Sequence, residues 1–185
     1  SAISIDATTN FSVSRVVVLA NGVAEIMNSL NAKSILVGRD ISSTENELKD
    51  IPIVTSGHQV LPEKVIGLKP DLVIVDASTG PKSALDQIRA AGIKIVETPE
   101  SWTLSDISTK VSAVASAIGA PQQGDAFNQA FAREVKTSTI ATKPRIAFLY
   151  LRGTSSVYLI GGPGSGSDSL IEAIGATDVG AKSLP

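Results

Sequence analysis

The sequence predicts an α/β protein, a parallel sheet wrapped by helices, and three observations carry that prediction. Short apolar, β-branched runs without polar alternation recur over the first hundred or so residues, as in strands buried on both faces of a sheet. Segments with apolar residues at helical spacing lie between them, joined by short connections. Proline or glycine marks several of the boundaries.

Arg15-Val16-Val17-Val18-Leu19 reads as the first strand, and Asn21-Gly22 leads from it into a helical pattern from Val23 to Leu30. A second strand reads Ser34 to Gly38. The helix Pro62 to Leu68 precedes a third strand, Asp71 to Val75. The helix Pro81 to Ala91 is opened by Pro81 and closed by Gly92. A fourth strand, Ile93 to Val96, runs through Thr98-Pro99-Glu100-Ser101-Trp102 to a helix from about Leu104 to Ile118, capped by Gly119. Residues 1–120 are therefore expected to form one N-terminal α/β lobe.

Pro121 then opens a helical stretch, Gln122 to Ile140. Its ~20 residues would span roughly 30 Å at about 1.5 Å each. Residues 121–141 read as a connecting helix that leaves the first lobe. Lys143-Pro144 breaks it, Arg145 to Tyr150 and Val157 to Ile160 read as strands, and Ser167 to Ala173 as a helix capped by Gly175. Residues 142–185 read as the start of a truncated C-terminal lobe, because about 44 residues bury too little surface for a stable core. Such an incomplete lobe is expected to expose a strand edge.

Composition excludes several function classes. The 185 residues are 43% hydrophobic with a net charge of −2, and 4% are aromatic. With no basic stripe and so few aromatic residues, nucleic acid is not an expected partner. No apolar run approaches the roughly 20 residues that cross a bilayer. The opening Ser1-Ala2-Ile3-Ser4-Ile5-Asp6 lacks a signal-peptide pattern. The chain has no cysteine, which fits exported and cytosolic proteins alike.

His58 is the one histidine and hence the one strong ligand for iron, copper, nickel or zinc. It lies in Val54-Thr55-Ser56-Gly57-His58-Gln59, just before the helix start at Leu61-Pro62-Glu63. A single imidazole does not make a zinc site, which needs several converging ligands. No nucleophile motif accompanies His58, so an enzyme is not expected, although a fragment of an α/β enzyme is the alternative from a different class. Gly161-Gly162-Pro163-Gly164-Ser165-Gly166-Ser167 could cradle a phosphate. It lacks the Gly-Lys-Ser/Thr of a P-loop and the dinucleotide spacing, and it reads as a turn. Ligands of open parallel sheets bind beyond the carboxyl ends of the strands. That rule brings Asn21-Gly22, Arg39, Asp76-Ala77-Ser78 and Glu97 to Trp102 near the opening.

A resemblance sharpens these candidates. Val16 to Ile26, Val37-Gly38-Arg39-Asp40, Pro62 to Ile74 and Ile88 to Lys94 resemble the first lobe of the substrate-binding proteins that serve siderophore, haem and cobalamin ABC importers. Ser56-Gly57-His58-Gln59 and Phe148-Leu149-Tyr150-Leu151-Arg152-Gly153 look most like the haemin-binding branch from Gram-positive actinobacteria. The resemblance implies two α/β lobes joined by a long helix, a ligand in the cleft between them, and some hundred further residues. It also implies that His58 and Tyr150 ligate ferric haem. Histidine and tyrosinate are both established axial ligands. Arg152 would favour the phenolate form of Tyr150 by its positive charge, with Tyr158 as the competing tyrosine. Trp102 would cover a porphyrin face, Arg39 would pair with a propionate, and Asn21 would line the cleft. Glu25 and, more weakly, Glu172 would dock on arginines of an ABC permease. The resemblance further implies an extracytoplasmic lipoprotein on a Gram-positive cell surface, tethered by a lipidated segment absent from this chain. A ferric siderophore is the alternative ligand, with Arg39, Arg152 and Trp102 as its contacts.

Overall fold

The computed structural model describes residues 10–135, 142–151 and 157–180. The chain divides into two compact units, the first comprising Ser1–Glu100 and Thr109–Phe131, the second Ser101–Ser108 and Ala132–Pro185.

Four parallel strands form the sheet of the first unit: β1 (Val16–Val18), β2 (Leu36–Arg39), β5 (Leu72–Val75) and β6 (Lys94–Glu97), in the order β2-β1-β5-β6. The parallel, helix-wrapped sheet read from the sequence is thus present. β2 starts later than its apolar run suggests, because Lys33–Ile35 form a turn of 3-10 helix. Burial explains the strand sequences: every residue of β1 and β5 is buried. Val17, Leu19, Val73 and Val75 share a core with Val65 of α2 (Pro62–Gly67) and Leu85 and Ile88 of α3 (Lys82–Ala90). Side chains alternate along a strand, so Val16, Val18, Leu72 and Ile74 fill the opposite face, and these are fully buried. Gly38 is required there, since a Cβ would meet Leu68 Cδ1 at 2.8 Å.

The helix α1 (Val23–Ser29) follows β1 through Gly22, whose φ of 72° suits glycine. A short antiparallel hairpin, β3 (Thr55–Ser56) and β4 (Gln59–Val60), precedes α2. The helix α4 (Leu104–Ala117) opens with a capping box, in which Asp106 accepts the Thr103 N–H at 2.8 Å and Thr103 Oγ1 accepts the Asp106 N–H at 3.3 Å. The next helix, α5 (Pro121–Glu134), has 14 residues, shorter than the stretch from Gln122 to Ile140. Residues 136–141 lie outside those described. The helix also does not leave the first unit at Pro121. Gly124 sits so close to α4 that a Cβ on it would approach Ala115 Cβ to 2.6 Å, and the first unit extends to Phe131.

In the second unit the run Arg145 to Tyr150 is not one strand. It splits into β7 (Arg145–Ile146) and β8 (Leu149–Leu151), because each pairs with a different neighbour. β8 pairs antiparallel with β9 (Val157–Ile160), and β7 pairs parallel with β10 (Thr177–Asp178), which follows α6 (Ser167–Ala173). In this unit Ile171 is buried, whereas Phe148, Leu149, Tyr150 and Leu170 are exposed. No helix among the described residues is long and apolar enough to cross a membrane.

Candidate functional site

The carboxyl ends of β1, β2 and β5 meet around a cavity of about 280 Å³, lined by Asn21, Ser42, Thr55, His58, Ser78 and Thr79 among others. His58 stands exposed at the two-residue turn between β3 and β4. Gly57 adopts φ 55° while His58 does not take a positive φ, the pattern of a type II′ hairpin turn. The hairpin is held from both sides. The Ile41 N–H donates to Thr55 Oγ1 at 3.0 Å, and the Val60 N–H donates to the Gly80 carbonyl at 2.9 Å.

The opposite wall is built on Asn21. Its backbone N–H donates to Asp76 Oδ2 at 2.9 Å, and its carbonyl accepts from Lys110 Nζ at 2.6 Å. Both Asp76 and Lys110 are buried. Burial opposes ionisation of Asp76, but hydrogen bonds from Ser78, Asn21 and Thr79 prevail and hold its carboxyl below the usual value. The third wall is the loop after β2, where Asp40 accepts from the hydroxyls of Ser42 and Ser43. Hydroxyls, an amide, an imidazole and one carboxylate therefore converge here, around apolar Leu19, Ile41 and Val60. Among the described residues no group of three or more His, Asp or Glu could hold a metal ion by itself.

Arg39 does not join this lining. It is buried, and its guanidinium donates to the carbonyls of Leu48 (3.0 Å), Ser43 (2.7 Å) and Asp40 (3.4 Å). A cation committed to three backbone carbonyls shapes the loop and is not turned toward a propionate. The sequence shows a cation at a strand end; only the fold shows that nearby carbonyls capture it.

Glu25, in the first turn of α1, is half-buried. Its carboxyl is pushed up to about 7, first by burial and then by hydrogen bonding and repulsion from Glu45, while Glu45 is lowered by the same hydrogen bond. Glu25 is thus the later of the two to ionise, and Ser43 Oγ donates to Glu25 Oε2 at 3.4 Å. The pairing is invisible in the sequence, where the two residues are twenty positions apart.

In the second unit, Tyr150 lies on β8 and is 52% exposed. Tyr158 lies on β9. Arg152 lies outside the described residues. Trp102 is exposed beside an apolar hollow of about 400 Å³ formed with Leu104, Ile107, Gly166 and Leu170, within the same unit. The glycine-rich turn abuts it: a Cβ on Gly166 would stand 3.1 Å from the Trp102 carbonyl oxygen. Packing against the backbone thus accounts for Gly166 without a phosphate. Glu172 is exposed on α6.

Solved structures with the same fold include heme binding protein HmuT, 29% identical over 99% of this chain and 66% of that one, with a TM-score of 0.75. The periplasmic heme-binding protein RhuT from Roseiflexus sp. RS-1 is 32% identical over 93% of this chain and 68% of its own, with a TM-score of 0.81. BhuT, solved in complex with two hemes, is 25% identical over 89% of this chain and 66% of its own, with a TM-score of 0.76. The chain spans 63–66% of the HmuT chains it matches. No curated protein sequence matches it significantly. The family model described as periplasmic binding protein matches residues 16–184. The chain belongs to the periplasmic binding protein family, whose members are extracytoplasmic.

Proposed function

We propose that this protein binds ferric haem and delivers it to an ABC permease for iron acquisition, with His58 as an axial ligand. The observation that carries the proposal is the single imidazole, exposed at a glycine-set turn on the rim of a cavity at the carboxyl end of the sheet. The heme-binding relatives support haem over a siderophore.

In this reading the first unit supplies His58 and Asn21, and the second supplies Tyr150 as the second ligand. Tyrosinate requires loss of a proton whose reference pKa is about 10. Ferric iron and the charge of Arg152 both favour that loss. Trp102 offers an aromatic plane to the porphyrin. Glu25 and Glu172 dock on the permease. The protein acts as a lipid-tethered receptor on a Gram-positive surface.

The test is an absorption titration with ferric protoporphyrin IX, run beside a ferric siderophore. Parent protein should give a saturable Soret shift with haem, and His58→Ala should bind on the order of tenfold or more weaker with a changed spectrum. Parental affinity and spectrum in His58→Ala, or a response to the siderophore alone, would refute the proposal.

A further inference from the structure

We infer that Asp76 is the positioning residue for His58, the carboxylate that fixes the support on which the ligand-bearing hairpin rests; this builds on the reading of His58 as an axial ligand. Two residues in each strand and a two-residue turn are too little to hold a side chain in place unaided. The hairpin must borrow its rigidity. On one edge it takes it from the loop after β5, where Val60 N–H donates to the Gly80 carbonyl and Gln59 pairs with Gly80.

That loop is organised around Asp76. Oδ1 accepts from the Ser78 N–H (3.0 Å), the Ser78 hydroxyl (2.6 Å) and the Thr79 hydroxyl (3.1 Å). Oδ2 accepts the Asn21 N–H at 2.9 Å. The Asp76 N–H returns a bond to Thr79 Oγ1 at 3.0 Å, and the Thr79 N–H donates to the Asp76 carbonyl at 3.1 Å. Asp76 is 4% exposed and does not itself line the cavity. It reaches His58 through Thr79, Gly80 and β4, and it ties that path to Asn21 on the facing wall.

The chemistry demands a carboxylate. Each oxygen accepts a backbone N–H, and a backbone donor cannot rotate away. An asparagine turned either way would place its NH2 against one of them, leaving a part-buried donor without its acceptor. Asp76→Asn therefore keeps the volume of the side chain but loosens Gly80, and with it the hairpin.

The test is a double-mutant cycle on the full chain, titrated with ferric protoporphyrin IX and read as affinity and absorption spectrum. Asp76→Asn should weaken haem binding on the order of tenfold, as coupled groups do, and shift the spectrum toward that of His58→Ala. In the His58→Ala background the same substitution should have no further effect. Amide exchange should accelerate at Val60 and not at Leu19, whose N–H donates to Ile74 at the sheet. If Asp76→Asn does not fold, Thr79→Val, which deletes one hydroxyl of the network, should show the same coupling at about threefold. Equal weakening with and without His58, or unchanged haem binding, overturns the inference and leaves the ligand reading intact. Parental haem binding by His58→Ala overturns both.

Discussion

Replacing Glu25 with glutamine should stabilise the protein above neutral pH. Glutamine retains a donor for Glu45 and an acceptor for the Ser43 hydroxyl, but it cannot ionise. Glu25 rises from 4.5 to about 7, chiefly through burial and then through Glu45. A carboxyl with a raised folded pKa contributes most when protonated. Its contribution is complete below the unfolded value and is lost as pH rises through about 7. At ~1.4 kcal/mol per tenfold change in proton affinity, the rise corresponds to roughly 3 kcal/mol at most. Solvent reaches part of Glu25, and Glu45 moves the opposite way, so about 1–2 kcal/mol should survive. Urea unfolding of parent and Glu25→Gln at pH 5 and pH 8 measures this. The variant should be more stable by about that amount at pH 8, with well under half of the difference remaining at pH 5. A difference independent of pH, or a destabilised variant at pH 8, would refute the raised pKa of Glu25.

Arg39→Met should cost about 2–4 kcal/mol in unfolding, because buried carbonyls of Leu48 and Ser43 lose their donor; a change below about 0.5 kcal/mol would contradict its structural role. Gly124→Ala should destabilise by about 1–3 kcal/mol despite the better helix propensity of alanine, since its Cβ collides with Ala115 across α4 and α5. A raised melting temperature would show that the helices separate at little cost. Tyr150→Phe in haem-loaded protein should abolish a phenolate-to-iron charge-transfer band and leave the His58-dependent part of the spectrum. Persistence of that band would move the second ligand to another residue, Tyr158 being next.

Sequence alone determined the sheet and its wrapping, because the determinants are local. Val16-Val17-Val18 and Leu72-Val73-Ile74-Val75 are apolar on both faces and become strands buried on both faces. Gly92, Gly119 and Gly175 end their helices at positive φ of 80°, 77° and 74°. His58 was conspicuous by being the one imidazole in the chain. What surrounds it was not legible. Two-residue strands are too short to carry a period, so the His58 hairpin reads as loop, and the run from Arg145 to Tyr150 does not reveal that its halves pair with different partners.

Only the tertiary structure decided the fate of the charged candidates. Arg39 is consumed by carbonyls on a loop that folds back over it, and Glu25 acquires a neighbouring carboxyl, Glu45, from that same loop. Asp76 reaches a backbone amide 55 positions away. Residue type and spacing state what a side chain can bond to. Which donors and acceptors come within 3 Å of it is set by long-range packing, and that is where an arginine at a strand end becomes a loop clamp and a loop aspartate becomes the organiser of its own turn.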